Sequence, residues 1–409
     1  VSGARGGQAQ REDATRVLLV SSGLDHARRG YESFARECFG ALRDDPSLQL
    51  ELVKGSGPSG PRERSVPTIR RDGAVAQTLG RALGARPFRI EALAFAASIQ
   101  PLLMSRRPDL VYLSEWDTAR GLAALRRVSR LRFKLLLCNG GFASEGFEHL
   151  DHVQELTPAA RDYVICRGAD PSRHSVLPLG FRIDSRLAPT SPADRQALRE
   201  RLHLPADRKV VLSVAALNHS HKRLDYLIDE LATLPEPRPF LLLAGEPDRE
   251  TQSLRTLARE RLGSEGHEFR TVPVSEVPEL YRASDLHVLA SLVEAQGRVL
   301  IEAASNGVRC VAHDSGITRF ALGEHGIYGD LTRTGTLAGL LAAHLNAPLD
   351  LSAARAAHRF VFERFSWKRL HPQYVELLTG VASGDYRPRS DPWRANSTVS
   401  SSTAENVLR

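Results

Sequence analysis

The side chains that first suggest chemistry in this sequence are two glutamates, Glu294 and Glu302, with seven residues between them. They lie in Ala290-Ser-Leu-Val-Glu294-Ala-Gln-Gly297-Arg-Val-Leu-Ile-Glu302-Ala-Ala-Ser-Asn-Gly307, directly after the apolar run Leu286 to Ala290. The stretch reads as a strand, an acidic turn, and a helix that begins near Gly297. Uncapped N–H groups at such a helix start hold a phosphate, and a glycine there lets the backbone approach closely, so a pyrophosphate fits. An ionised carboxylate only accepts hydrogen bonds, which suits the two glutamates to sugar hydroxyls, one to a hexose and one to a ribose. Taken bare, the spacing is weak evidence, because solvated acids on a surface helix produce the same pattern.

These residues need strands and helices to position them. Arg16-Val-Leu-Leu-Val20 and Lys209-Val-Val-Leu-Ser-Val214 are short apolar runs that each open into a loop and then a helical pattern, as buried strands of a parallel sheet do. Strand-like runs follow the first at Leu48 to Val53, Leu110 to Leu113 and Phe133 to Cys138, and the second at Phe240 to Ala244, Glu268 to Val272, Leu286 to Ala290 and Arg309 to Ala312. Helical segments such as Glu32 to Arg43 separate them. The alternation predicts an α/β chain of two Rossmann-like domains, with ligands beyond the carboxyl ends of the strands in a cleft. Polar residues and prolines near Arg186 to Ala193 place the boundary, giving 16–186 and 187–382, with the final helix from Trp367 packing back. The Gly/Arg-rich residues 1–15 and the Ser/Pro/Asn-rich residues 383–409 are expected to lack fixed structure.

Several motifs in order between Val210 and Phe365 resemble the donor domain of the family 4 retaining glycosyltransferases, which have the GT-B fold. Ser291-Leu-Val-Glu294-Ala-Gln-Gly297-Arg-Val-Leu-Ile-Glu302-Ala is similar to the family's Ser-x-x-Glu-Gly-Phe-Gly-x4-Glu-Ala signature. Leu280-Tyr-Arg-Ala-Ser-Asp285-Leu-His-Val-Leu resembles the segment leading into it, Lys222-Arg-Leu-Asp-Tyr-Leu-Ile228 the lysine segment, and Leu243-Ala-Gly245-Glu the glycine turn. The resemblance implies a metal-independent hexosyltransferase with no cofactor beyond its co-substrate. It would move a sugar from a UDP- or GDP-sugar to a hydroxyl of a glycan, lipid-linked or small-molecule acceptor, retaining the anomeric configuration. Lys222 and the amides of Gly297, Arg298 and Val299 would take the diphosphate, Glu294 the donor sugar and Glu302 the ribose.

The sequence also departs from the family pattern. Ala215-Ala216 stand where Gly-Arg is usual, so a diphosphate cation is missing; Arg223 is the favoured substitute beside Lys222, with His219, His221 and Arg298 as alternatives. Ala295 and Gln296 replace Gly-Phe. In the N-terminal half, Ser21-Ser-Gly23-Leu-Asp-His-Ala-Arg-Arg-Gly30-Tyr-Glu32 resembles the glycine loop that faces the donor, which implies roles there for Gly23 and Gly30. After the strand Phe133 to Cys138, Asn139 stands where the family often carries a histidine near the reacting sugar, and an amide cannot do a histidine's proton chemistry. Two rival readings are a sugar-nucleotide epimerase, and a nucleotide-sugar-binding protein impaired in catalysis by these departures.

Composition constrains the partners. A formal charge of +7 comes with an arginine cluster at Arg62, Arg64, Arg70, Arg71, Arg81, Arg86 and Arg89, followed by the apolar stretch Ile90 to Met104. With no interleaved aromatics, the charge argues against nucleic acid and leaves an anionic membrane surface open as a partner beside the nucleotide-sugar donor and a sugar-containing acceptor. No run of about 18 apolar residues is present to span a bilayer, and residues 1–16 do not read as a signal peptide. The expected location is the cytoplasm, with peripheral attachment at the inner face of the membrane open. The scattered cysteines Cys38, Cys138, Cys166 and Cys310 show no metal-site spacing and are expected to be reduced and interior.

Overall fold

The computed structural model describes residues 14–27, 30–140, 145–187, 190–348, 350–388 and 393. The chain divides into two compact units, one drawn from Val1–Arg182 and Trp367–Ala395, the other spanning Ile183–Ser366. The division falls a few residues before the expected boundary, and the final helix Trp367–Ser383 is counted with the first unit. Most of the two terminal segments expected to lack structure lies outside the described residues, although Thr15 already opens the first strand. Three cysteines are buried, while Cys166 is exposed at the end of its helix.

In the first unit seven strands form one parallel sheet: β1 (Thr15–Ser21), β2 (Leu48–Lys54), β3 (Glu63–Ser65), β4 (Leu110–Leu113), β5 (Lys134–Asn139), β6 (His152–Glu155) and β7 (His174–Val176). Their order is β3-β2-β1-β4-β5-β6-β7. Val17 pairs with Leu50 on one side and Leu110 on the other, and all three are essentially inaccessible. The central run Val17 to Val20 of β1 and the whole of β4 are buried on both faces, so they are apolar without alternation. Strands β3 and β7 are short and polar, which is why hydrophobic patterning gives no signal for them.

β6 is buried along its whole length although three of its four residues are polar. Each finds a partner: His152 meets Ser175 Oγ at 2.9 Å, and Glu155 accepts from Asn139 and His174. Gln154 ties the sheet to the last helix. Its Oε1 accepts from Tyr112 Oη at 2.5 Å, its Nε2 donates to Leu177 O at 2.7 Å and Tyr374 Oη at 3.0 Å, and Tyr374 donates onward to Pro178 O at 2.9 Å. Trp367, at the start of that helix, lies against Gly180, where any Cβ would come within 2.5 Å of the indole. Removing Gln154 strands buried hydroxyls, so Gln154→Leu should lower the stability of the first unit by about 1–3 kcal/mol. Urea unfolding should show this as a lower midpoint at unchanged slope.

The second unit has six parallel strands: β8 (Val210–Val214), β9 (Phe240–Ala244), β10 (His267–Arg270), β11 (Leu286–Leu289), β12 (Arg309–His313) and β13 (Gly326–Gly329). The order β10-β9-β8-β11-β12-β13 reverses direction between β8 and β11, the place where doubly wound sheets bind ligands. β8 pairs with β9 along five residues, but with β11 only through Val211–Leu286 and Leu212–His287. Beyond that point Val214 N donates to the His287 ring, to Nε2 at 3.4 Å. The loops that follow β8 and β11 emerge beyond this contact.

His287 is wholly buried, and its Nδ1 has no hydrogen-bond partner. Desolvation by burial pushes its pKa down to about 3, against an ordinary value of 6.5. Between those values the unfolded chain carries a proton that the folded chain refuses. Stability therefore rises with pH across this range and is lost as pH falls below about 6.5, by roughly 1.4 kcal/mol per pH unit for one such group. Unfolding of the second unit at pH 7 and pH 5 should show this slope, and His287→Gln should flatten it.

Candidate functional site

The loop after β8 is held from below by a close backbone approach. A Cβ on Gly245 would sit 1.7 Å from Ala215 O, so only glycine lets the turn after β9 pass at this distance. Ala215 N donates to Ala244 O at 2.9 Å, and Leu217 N to Glu246 O at 3.1 Å. From there side chains take over. Asn218 Oδ1 accepts from His221 N at 3.3 Å and Lys222 N at 2.9 Å, while Glu250 Oε2 accepts from His219 N at 2.9 Å and Ser220 N at 3.0 Å. Hydrogen bonds from the Ser220 backbone, ahead of other causes, hold the Glu250 carboxyl below its usual range. Four successive amides are thus fixed, and with them the direction in which Lys222 leaves the loop.

Lys222 meets the second loop, the one after β11. Its Nζ donates to Glu294 Oε1 at 2.5 Å, and Ser291 Oγ donates to the same oxygen at 2.5 Å. The two charged side chains are only 17% and 13% exposed, so the pair sits in a setting where water screens it weakly. His221 Nε2 donates to Val293 O at 3.2 Å, a second link between the two loops. The chain then turns through Gly297 at φ 71°, a left-handed conformation that costs other residues about 1–2 kcal/mol, and enters the helix Arg298–Ser305. No side chain caps that helix start. Its leading amides and the dipole behind them favour an anion.

Glu302 lies one turn further along. Tyr281, fully buried, donates to Val299 O at 3.2 Å and reaches Glu302 Oε2 at 3.4 Å, while Arg298 Nη2 lies 3.6 Å from Glu302 Oε1. Lys222, Glu294, Gly297, Arg298, Val299 and Glu302 therefore belong to one neighbourhood beyond the carboxyl ends of β8 and β11. An ammonium, two carboxylates and a helix start lie together there, a donor and acceptor set suited to a diphosphate flanked by sugars.

The other expected residues have different surroundings. Arg223, at φ 51°, donates from Nη1 to Ala290 O at 3.3 Å and Leu331 O at 2.8 Å, with its guanidinium 4.2 Å above the Tyr226 ring. This position braces the ends of the surrounding loops. His219 lies 3.6 Å from Glu250, and Ala216 is exposed. In the first unit Asn139 is buried at the end of β5, and its Nδ2 is committed to both Glu155 oxygens, at 3.2 and 3.0 Å. The rest of the stretch Gly141-Phe142 lies outside the described residues. A Cβ on Gly23 would press on the ends of two side chains, 2.2 Å from Glu32 Oε1 and 2.3 Å from Arg71 Nη2, and would displace them. Gly30 starts the helix Gly30–Leu42, and a Cβ there would meet nothing within 4 Å.

A cluster that sequence reasoning missed secures the loop after β1. Arg71 donates to Glu91 from Nε at 3.0 Å and Nη2 at 2.7 Å and to Glu32 at 3.3 Å; His26 Nε2 meets Glu91 Oε2 at 3.0 Å. Burial pushes the Glu91 carboxyl up, but Arg71 and His26 outweigh it and bring it below the usual range. Burial raises Glu115, whose Oε1 accepts from Ser22 N at 2.7 Å. These residues are far apart in sequence and have no shared motif, so only the assembled sheet brings them together.

Comparison with known proteins starts from the second unit. Residues 194–346 match the family model described as glycosyl transferases group 1. Mannosylfructose-phosphate synthase of Agrobacterium fabrum is 33% identical over 198 residues, which are 45% of this chain and 42% of that protein. D-inositol 3-phosphate glycosyltransferase of Xylanimonas cellulosilytica is 33% identical over 228 residues, 53% of each. The chain thus spans about half the length of the curated relatives it matches. Among solved structures, Anabaena HepE in complex with UDP and glucose aligns over 90% of this chain and 100% of its own with a TM-score of 0.70 and 18% identity. Sucrose-phosphate synthase of Thermosynechococcus elongatus aligns over 90% and 99% with a TM-score of 0.74 and 18% identity. At these identities the structural likeness establishes the fold, GT-B, in agreement with the two parallel sheets. Lys222, Glu294, Gly297 and Glu302 all lie within the region that matches the glycosyl transferases group 1 model.

Proposed function

We propose that the chain is a family 4 retaining glycosyltransferase that moves a sugar from a nucleoside diphosphate sugar, UDP- or GDP-linked, to an acceptor hydroxyl. The observation that carries this reading is the Lys222–Glu294 pair beside the uncapped helix start at Gly297. In the reaction the bond from the anomeric carbon to the diphosphate breaks and charge develops on the leaving oxygen. Lys222 and the amides from Gly297 to Val299 stabilise that charge more in the transition state than in the ground state, which is what accelerates the step. To do so, Lys222 exchanges a Glu294 oxygen for a phosphate oxygen, and Glu294 becomes available to accept from a sugar hydroxyl. Glu302 takes the ribose hydroxyls. The acceptor attacks on the face the diphosphate leaves, and a phosphate oxygen helps remove its proton. Asn139, with its amide committed to Glu155, has no part in that proton transfer.

The names of the relatives narrow the acceptor. One acts on D-inositol 3-phosphate and another makes mannosylfructose-phosphate, which supports a phosphorylated polyol or sugar as the acceptor here. The reading takes no metal and no further cofactor. The test is turnover of UDP-glucose and GDP-mannose with a panel that includes D-inositol 3-phosphate and hexose phosphates. Lys222→Ala should lower kcat/KM by about 10²–10³-fold, the scale for losing one donor to developing charge. Glu294→Gln should be impaired mainly with intact donor sugar and much less in binding free UDP or GDP. Chelator should leave the rate unchanged, and the product anomer should match the donor's. An inverted product would exclude the retaining mechanism, and nucleotide binding without transfer or hydrolysis would reduce the chain to a binding protein.

A saturating nucleotide gives a second check. Ligand at 100 times its Kd stabilises the binding fold by about 2.7 kcal/mol, so the melting temperature should rise with UDP or GDP and rise much less in Lys222→Ala.

A further inference from the structure

The apolar arc of the helix Ala74–Leu83 is wider than the part of it that the first unit covers. Ala76 and Gly80 are buried, whereas Val75, Leu79 and Leu83 are 58%, 38% and 69% exposed. At about 100° per residue these three fall within roughly 80° of one another, so they form a single stripe beside the buried pair. Small residues make the inward contact: a Cβ on Gly80 would lie 2.7 Å from Ala85 O. The large ones are left outside. The sequence pattern points instead to Ile90 to Met104 as the apolar partner of the arginine cluster. In the structure much of that stretch enters the core, through Ala92, Phe95, Ala96, Ile99 and Leu103, while Leu93 and Met104 stay exposed at 41% and 58%.

The charge around the stripe has one sign. From Gly73 to Ile90 the charged residues are Arg81, Arg86 and Arg89, all exposed. The flanking acids are already used, Asp72 by Arg70 and the buried Glu91 by Arg71. Arg81 and Arg86 form no ion pair among the described residues, and Arg89 comes only to 3.9 Å from Asp117. A second copy of the chain is a poor occupant: stable interfaces bury about 800 Å² per partner, more than three side chains on a ten-residue helix supply. A two-fold contact would also set like charge against like. An anionic lipid surface matches both features, since apolar side chains enter the headgroup boundary while arginines meet lipid phosphates.

We propose that Val75, Leu79 and Leu83, with Arg81, Arg86 and Arg89, form a docking surface for an anionic bilayer. The inference stands apart from the transferase reading, because its test measures partition and not turnover. The full chain is sedimented with vesicles of phosphatidylglycerol and phosphatidylcholine, and with vesicles of phosphatidylcholine alone. Wild type should partition onto the anionic vesicles, little onto the neutral ones, and less at raised salt. Leu79→Asn with Leu83→Asn should weaken the apparent affinity about tenfold or more. Arg81→Gln with Arg86→Gln should weaken it at least about fivefold, the loss expected for one basic residue near the surface. Both variants change exposed side chains and should keep the wild-type melting temperature. Val128→Asn, which alters an apolar residue 86% exposed on the helix Trp116–Ser129, should bind as wild type. The proposal is overturned if wild type ignores anionic vesicles or if the leucine variant binds as tightly as wild type. A concentration-dependent dimer lost in the leucine variant, without vesicle binding, would assign the stripe to a second copy and also overturn it.

Discussion

β8 and β11 are neighbours in the sheet, and the candidate site of the second unit lies where the loops that follow them emerge. A parallel sheet ties each strand to its neighbours along its length, so an opening at its carboxyl edge requires a pair whose following loops turn opposite ways. The order β10-β9-β8-β11-β12-β13 supplies one such pair. Between them, His287 takes the Val214 amide onto its ring beyond the last ladder pair. A polar ring in the middle of a sheet is costly to bury.

Across that opening, the loops are built differently and meet at one ion pair. The first is stiff because Asn218 and Glu250 absorb its backbone donors before any ligand arrives. The second reaches its left-handed turn at Gly297 and leaves its helix start uncapped. Lys222 and Glu294 then hold each other at short range, in a spot partly shielded from solvent. The charged groups of the candidate site thus keep their positions by neutralising one another.

Much of this was legible in the sequence, for identifiable physical reasons. Strands buried on both faces must be apolar throughout, so β1, β4, β8, β9 and β11 announced themselves as runs. The helix start at Gly297 was readable from an acidic turn followed by a glycine. Strands such as β7 and β13 were not, because short edge strands carry polar or small residues whose pairing depends on neighbours far along the chain. The same limit hid the cluster of Arg71, Glu91 and His26, which no local spacing marks. It also leaves the buried and exposed parts of Ile90 to Met104 undivided, since an apolar stretch looks alike whether a core or another surface receives it. Arg223 shows a subtler limit: adjacency to Lys222 suggested a shared ligand, but its backbone turns to φ 51° and sends the guanidinium toward Ala290 and Leu331.

The first unit is discontinuous in the chain, and this bears on how the molecule is made. Gln154 in the sheet has a partner on the helix Trp367–Ser383, and Gly180 has its neighbour in Trp367. A ribosome releases the sheet first, then the whole of Ile183–Ser366, and only then the helix that completes the first core. During synthesis the earlier unit must wait, part of its polar interior unsatisfied, while the whole of the later one emerges. The segment that carries Lys222, Glu294 and Glu302 is thus complete in the chain before the first unit is.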